Sequence, residues 1–364
     1  MTNSSTFLLA LGKKEDNRNS FFSSQTLRVF WSVFNVVLVC LVILGSLLLI
    51  PSPRKIYANL GDQCGSLIGI AAGQRLCCSN EGHTGFTDDH CLEESCQKDY
   101  GVCDESQMEL PIISECLDSN EFALTFDDGP SIFTESLLDY LLSKNIKATF
   151  FLNGANWKLD YIYFPDPANK LAEKVPQTNI YDNLPIVKRM IKDNHQICHH
   201  TWSHTSISKI SQTNLTFEIT RLNQVFAETI GKIPTCIRAP YGDISSQGSR
   251  LLRRMGFEAF VHWKVDPRDW DPEFFGIDPK TQINGMMNKT FSTRPKSTIS
   301  LNHDVVPTTA DFKFLGKTGI KPLTQKMVEF LEGQGFKFVT IDKCIGKPVG
   351  SMYRPIYPYD YIVE

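Results

Sequence analysis

Five short groups of residues carry the side chains that hydrolysis assisted by a bound cation would need. Asp127 and Asp128 end the apolar run Phe122–Phe126 and are followed at once by Gly129 and Pro130. Neighbouring residues leaving a strand point in different directions, so one carboxylate can bind a cation while the other faces a bound water. His200 and His204 frame His-Thr-Trp-Ser-His, and the four-residue spacing predicts two imidazoles on one side of a helical turn, close enough to share an ion. Two histidines and one carboxylate leave a zinc coordination position open for water. Arg238-Ala-Pro-Tyr-Gly242 supplies a permanent cation able to hold a carboxylate ionised and oriented, with the Tyr241 N–H available to an oxyanion. Asp266-Pro-Arg-Asp269-Trp270 adds two carboxylates and a broad apolar ring, and Ile299-Ser-Leu-Asn-His303-Asp304 ends a run on histidine. Each group taken singly has a plain structural reading, because Asp, Gly and Pro are ordinary turn formers. His195 and His199 have no comparable partner and read as solvated or core residues.

The elements that must position these groups alternate along the chain. Strands are predicted at 122–126, 148–152, 196–199, 236–238, 258–263, 297–302 and 337–341, with helices over 134–144, 183–193 and 212–230. The last of these helices keeps Leu215, Ile219, Leu222, Phe226 and Ile230 on one face until Gly231 stops it. Lys158–Asn179 is irregular and reads as a loop beside the cleft. Seven β-α units imply an α/β domain with a parallel sheet, open or closed into a barrel, whose site lies at the C-terminal ends of the strands. All five groups follow predicted strands.

The chain has 364 residues, 42% of them apolar, enough for one large domain with small attachments. A net charge of −3 gives no sign of a nucleic-acid partner. Val29–Ile50 is a 22-residue stretch without a charge, long enough at about 1.5 Å per residue to span roughly 30 Å of bilayer core. It reads as a transmembrane signal-anchor. Lys13, Lys14, Arg18 and Arg28 precede it, which predicts a cytoplasmic tail over 1–28 and export of the remainder, a type II arrangement facing the secretory lumen or the cell wall. Asn214 and Asn288 begin glycosylation tripeptides on the exported side. Ten of the eleven cysteines follow the apolar stretch, where an oxidising compartment would let them pair.

Six of these cysteines, Cys64, Cys77, Cys78, Cys91, Cys96 and Cys103, fall within 62–104, a segment too small for a core of its own. The runs Asp62-Gln-Cys-Gly, Leu76-Cys-Cys-Ser and Cys96-Gln-Lys-Asp-Tyr-Gly-Val-Cys103 resemble a hevein-like chitin-binding module. Such modules carry eight cysteines; here two are absent, with Thr84 at one of their places. The resemblance implies the pairs Cys64–Cys78, Cys77–Cys91 and Cys96–Cys103. The ring-bearing positions that would stack on sugar are Glu81, His83 and His90, so weak chitin binding or a spacer role is expected. The polar segment 105–119 reads as a linker. Cys116 with Cys344, and Cys198 with Cys236, are further candidate pairs.

In this order, and each after a strand, TFDDGP, HTWSH, RAPYG, DPRDW and LNH resemble the polysaccharide deacetylases of the NodB-homology family (carbohydrate esterase family 4). The likeness covers 120–345 and leaves 346–364 as a C-terminal tail. Phe151-Leu-Asn-Gly-Ala-Asn-Trp157 and His195-Gln-Ile resemble the fungal chitin deacetylase branch in particular. It implies a distorted (β/α) barrel of seven units. Asp128, His200 and His204 would hold one divalent metal, zinc or cobalt, with Asp127 as general base oriented by Arg238. His303 would be the general acid tuned by Asp269. Tyr241 would give the oxyanion N–H, and Trp270 and Leu301 would line the acetyl pocket. The implied activity is removal of N-acetyl groups from N-acetylglucosamine in chitin or a chitin-like wall polymer, with release of acetate. Alternatives are another acetylated glycan, such as peptidoglycan or an O-acetylated polymer, and a wall-binding protein that does not turn sugar over.

Overall fold

The structure is a computed structural model that describes residues 57–104, 109–156, 162–163, 173–174, 178–270, 297–313 and 321–361, together with 32, 33, 35–37 and 39. Those few N-terminal residues are helical. The rest of Val29–Ile50 lies outside the described residues, and among the described residues no helix is long and apolar enough to cross a membrane. Asn288 and most of Lys158–Asn179 also lie outside them.

Ten short strands build the domain that follows. In chain order they are β1 Ile112–Ile113, β2 Glu121–Ala123, β3 Thr125–Asp127, β4 Thr149–Leu152, β5 Gln196–His199, β6 Cys236–Ile237, β7 Ala259–Val261, β8 Thr298–Ile299, β9 Asn302–His303 and β10 Lys337–Val339. A seven-stranded sheet runs β9-β3-β4-β5-β6-β7-β1, and a second sheet runs β8-β2-β10. Every pairing in both sheets is parallel. Beyond β7, Val265 pairs with Ser300, joining the two sheets on that side. The result is a curled, irregular β/α barrel.

The expected single strand over 297–302 is two strands with a change of sheet between them. Thr298–Ile299 pairs with Phe122–Ala123, and Asn302–His303 with Phe126–Asp127. Between them the Leu301 N–H donates to the Val265 carbonyl instead. Ile112–Ile113, inside the segment expected to be a linker, pairs with Phe260–Val261 and forms one edge of the larger sheet.

Helices α1 Thr134–Ser143, α2 Leu184–Lys192, α3 Gln212–Ile230, α4 Ser246–Arg254 and α5 Leu323–Gly333 complete the units. In α3, the Ser211 hydroxyl accepts from the Asn214 N–H at the start, and Gly231 at φ 71° closes the end, satisfying backbone groups that a helix terminus leaves orphaned. The two-residue period of strands sends neighbours to different cores. Phe122 and Phe150 pack with α1, α2 and α3 residues such as Leu137, Val187 and Leu222, whereas Ala123 and Phe151 belong to a separate cluster with Cys198, Cys236, Ile299 and Cys344.

Among the described residues five disulfides are present. Cys64–Cys78, Cys77–Cys91 and Cys96–Cys103 staple the small module. Cys198–Cys236 links β5 to β6, and Cys116–Cys344 closes the domain across 228 residues. The module is fastened to α4. Arg254 reaches Asp88 at 2.8 Å and Asp104 at 2.9 Å and donates to the Phe86 carbonyl at 3.0 Å, while Arg250 meets Asp88 at 3.1 Å. Although partial burial opposes it, these arginines hold the Asp88 carboxyl below the usual range. The C-terminal stretch expected to be a tail is packed as well. Tyr353–Arg354 pairs with Ile233–Pro234, and Asp360 takes both Arg354 and Asn223.

Candidate active site

The five groups meet at one end of the barrel. A cavity of about 320 Å³ is lined by Asp127, Asp128, His200, His204, Tyr241 and His303, with Trp263, Asp266, Trp270 and Leu301 among the remaining walls.

β3 ends on Asp127, and its neighbour Asp128 turns the chain at φ 75°, so the two carboxylates diverge. Gly129 completes the turn because a Cβ there would lie 2.2 Å from an Asp304 carboxylate oxygen. Asp304 itself is fully buried. That burial, with the Asp128 and Asp127 charges adding to it against the Thr134 hydroxyl, pushes its carboxyl up to about 7.

Asp127 accepts from Arg238 Nη1 at 2.6 Å. Arg238 is held by four further contacts: Thr125 Oγ1 at 2.8 Å, the Val261 and His262 carbonyls at 3.2 and 3.3 Å, and the Phe151 ring 4.1 Å from the guanidinium carbon. It is fully buried, so its charge offsets that of Asp127 and its fork fixes where that carboxylate sits.

Asp128 faces the histidines. Its Oδ1 is 3.3 Å from His200 Nε2 and 3.1 Å from His204 Nε2. Burial alone would raise the Asp128 carboxyl, but the two imidazoles hold it well below the ordinary range. His200 Nδ1 lies 2.8 Å from the Arg238 carbonyl and donates to it, which fixes the ring with Nε2 turned toward Asp128. The expected helical turn is absent. Residues 200–204 form an open bend with Thr201 at φ 66° and His204 at φ 56°, and these two left-handed positions bring the rings to 5.2 Å between centroids. Asp128, His200 and His204 offer three ligand atoms within 4.8 Å of one another. Asp128 Oδ1 is buried and has no hydrogen-bond partner. A carboxylate and two imidazoles at this spacing fit a divalent ion of the zinc class.

On the neighbouring strand, where His303 pairs in register with Asp127, His303 Nδ1 is 2.7 Å from Asp269 Oδ1, and Asp269 Oδ2 accepts from the His303 N–H at 2.9 Å and from Thr309 Oγ1 at 2.8 Å. Burial disfavours the imidazolium. The Asp269 carboxylate, its hydrogen bond and the Asp128 and Asp127 charges outweigh that and raise His303 to about 10.

Tyr241, at φ 62°, and Trp270 leave much of their rings exposed at the mouth. Trp270 Nε1 is 3.3 Å from Asp266, whose carboxyl burial raises. Trp263 is a wall residue that the sequence reading missed, having placed it inside the strand expected over 258–263; β7 ends at Val261 and leaves Trp263 just past it. His195 and His199 are core. His199 Nε2 lies 3.3 Å from the Ile219 carbonyl, and burial lowers His199 to about 3 and His195 to about 4.

Residues 114–260 match the family model described as polysaccharide deacetylase. A chitin deacetylase of Pestalotiopsis sp is 31% identical over 69% of this chain and 73% of its own length. The peptidoglycan-N-acetylglucosamine deacetylase PgdA of Listeria monocytogenes is 29% identical over 68% of this chain and 44% of its own length. Among solved structures, the chitin deacetylase of Colletotrichum lindemuthianum superimposes with TM-score 0.54 at 25% identity, covering 69% of this chain and 98% of that one.

Proposed function

The chain belongs to the polysaccharide deacetylase family and is a hydrolase of carbon–nitrogen bonds other than peptide bonds; we propose that it removes N-acetyl groups from N-acetylglucosamine in chitin or a chitin-like wall polymer, releasing acetate and leaving glucosamine. The observation that carries this reading is the pairing, on two adjacent strands, of a buried carboxylate with a fixed cation, Asp127 with Arg238, and of a histidine with a carboxylate, His303 with Asp269.

Asp128, His200 and His204 would hold the divalent ion, zinc or cobalt, which when bound lowers the pKa of water and takes up negative charge. Asp127, oriented by Arg238, is assigned acceptance of the proton of the attacking water. The Tyr241 N–H is assigned to the oxyanion that develops at the acetyl carbon. His303, protonated at neutral pH, is assigned delivery of a proton to the departing amine nitrogen, and Asp269 stabilises that charge. Trp270 and Leu301 give the acetyl methyl an apolar wall. The balance is one water consumed and one acetate and one free amine produced.

Acetate release from chitooligosaccharides of defined length, followed by mass spectrometry, tests this. We expect release that stops with a chelator and returns with zinc or cobalt, and an Asp127→Asn variant with wild-type yield would sink the assignment. Peptidoglycan is the second substrate to assay, because relatives named for it match over a similar share of this chain. A binding-only role has less support, since it needs neither the Asp127–Arg238 nor the His303–Asp269 pair.

The five disulfides and the 22-residue uncharged run support placing the enzyme outside the cytoplasm, anchored by its N-terminus. Resistance of the full chain to alkaline extraction from membranes is the expected result; recovery in the soluble fraction would refute the anchor.

A further inference from the structure

A second cavity, of about 350 Å³, lies where the cysteine-rich module, the first turns of α3 and the C-terminal segment meet. Its size falls at the lower end of the roughly 300–1,000 Å³ spanned by small-molecule sites. None of its lining residues is Asp, Glu, Lys or Arg. Its walls combine aromatic rings with hydroxyl and amide groups. Phe217 and Tyr361 are 49% and 42% exposed, Phe86 and Tyr359 stack edge to face 5.0 Å apart behind them, and Asn59, Thr213 and Thr216 supply polar groups at the rim, with Thr84 and Thr87 buried below. The Tyr359 hydroxyl is buried without a hydrogen-bond partner. His90 contributes the one titratable ring that the module brings, and burial lowers its pKa, so it is neutral at pH 7.

We propose that this junction is an accessory site for an uncharged sugar chain, one that accepts N-acetylated units and rejects the deacetylated, cationic product. Exposed ring faces pack against the apolar face of a pyranose, and neutral hydroxyl and amide groups satisfy its polar edge. An ammonium entering the same cavity would shed water and find no carboxylate among the lining residues to pair with, which is costly. The rings that the module lacks at Glu81 and His83 are thus replaced from outside it, by α3 and the C-terminal segment. Thr213 follows His204 by nine residues. In parallel β/α units helices begin at the end where strands finish, so Thr213 and Thr216, in the first turns of α3, lie toward the catalytic end of the barrel. The assignment rests on the preceding reading for the identity of the sugar, and it adds retention of unreacted polymer.

The test uses the full chain, kept from turnover by a chelator and titrated calorimetrically with the N-acetylglucosamine tetramer and with its fully deacetylated form. Wild type should bind the acetylated tetramer and not the cationic one. Phe217→Ala and Tyr361→Ala should each weaken binding about 3- to 10-fold, the range for losing one ring contact. With metal restored, they should raise KM on long oligomers while kcat on the disaccharide stays unchanged. Thr213→Glu places a carboxylate at an exposed helix start, where it is tolerated, and should admit the cationic tetramer. Wild-type affinity in both ring variants, or equal binding of the two tetramers by the wild type, would overturn the proposal. So would binding that appears only after glycosidase treatment, because the cavity would then hold the chain's own glycan from Asn214. If no oligomer yields acetate but Phe217→Ala still weakens binding, the activity assignment fails and the accessory site stands.

Discussion

Replacing Asp269 with Asn probes the acid wall with little change of shape. Asp269 lies 2.7 Å from His303 Nδ1 and accepts from the His303 N–H and Thr309 Oγ1. The rise of His303 from 6.5 to about 10 corresponds to a preference for the charged ring on the order of 5 kcal/mol, achieved against burial. An amide removes the charge that is the chief source of that rise and turns an N–H₂ toward Nδ1. Burial then dominates, and His303 should fall below 6.5. Above neutrality the ring is left without its acidic proton, so kcat should drop by about 10²- to 10⁴-fold at pH 8, the usual range for losing a general acid. The basic limb of the profile should move down by several pH units, with part of the rate regained as pH falls. A bound cation neutralises part of the Asp127 and Asp128 contribution, so the wild-type limb should lie below 10 but above that of the variant. The assay is acetate release from a chitooligosaccharide between pH 5 and 10 with metal saturating. If Asp269→Asn loses rate equally at every pH, with both limbs in place, the proton-delivery role of His303 is wrong.

Four other outcomes follow from the geometry. Asp128→Ala should abolish metal-dependent acetate release and remove the rise in melting temperature on adding zinc, measured by calorimetry. Arg238→Met leaves Asp127 buried beside no cation and should cost about 3–5 kcal/mol by denaturant titration. His199, lowered to about 3 by burial, binds protons more readily when unfolded, so its contribution to stability is full above about 6.5 and is lost as pH falls toward 3, by about 2 kcal/mol at pH 5. The difference between wild-type and His199→Gln profiles isolates that slope from groups of opposite sign such as Asp304, and no difference in slope would refute it. Opening Cys116–Cys344 by a double Ser substitution frees a loop of 228 residues, a loss of roughly 5 kcal/mol in the chain-entropy account, read as a lower denaturation midpoint.

The site was legible because each of its groups follows a strand, and strand ends in a parallel sheet converge. Turn chemistry was harder. A four-residue histidine spacing suggests a helical turn, yet Thr201 and His204 take left-handed backbone, which residue type alone does not announce. Two-residue strands such as Ile112–Ile113 are too short for periodicity to separate from linker. The split at Ser300-Leu301 depends on a partner, Val265, that is remote in sequence. Trp263 hid among apolar neighbours in Phe-Val-His-Trp. The grip of Arg254 on Asp88 and Asp104 joins residues 150 or more apart, and no local pattern encodes it. The same holds for the C-terminal segment, whose Arg354–Asp360 pair reads in isolation like ordinary polar text.

That grip changes what an attached cysteine-rich module can do. On a slack tether such a unit only raises the local supply of polymer, and its reach is averaged over linker shapes. Here the guanidinium of Arg254 ties the unit to α4 through two carboxylates and a carbonyl. A polymer held at the junction, as proposed above, would therefore meet the catalytic side chains at a set offset, counted in sugar residues. The spacing of product amines along the polymer would carry that offset as a periodicity.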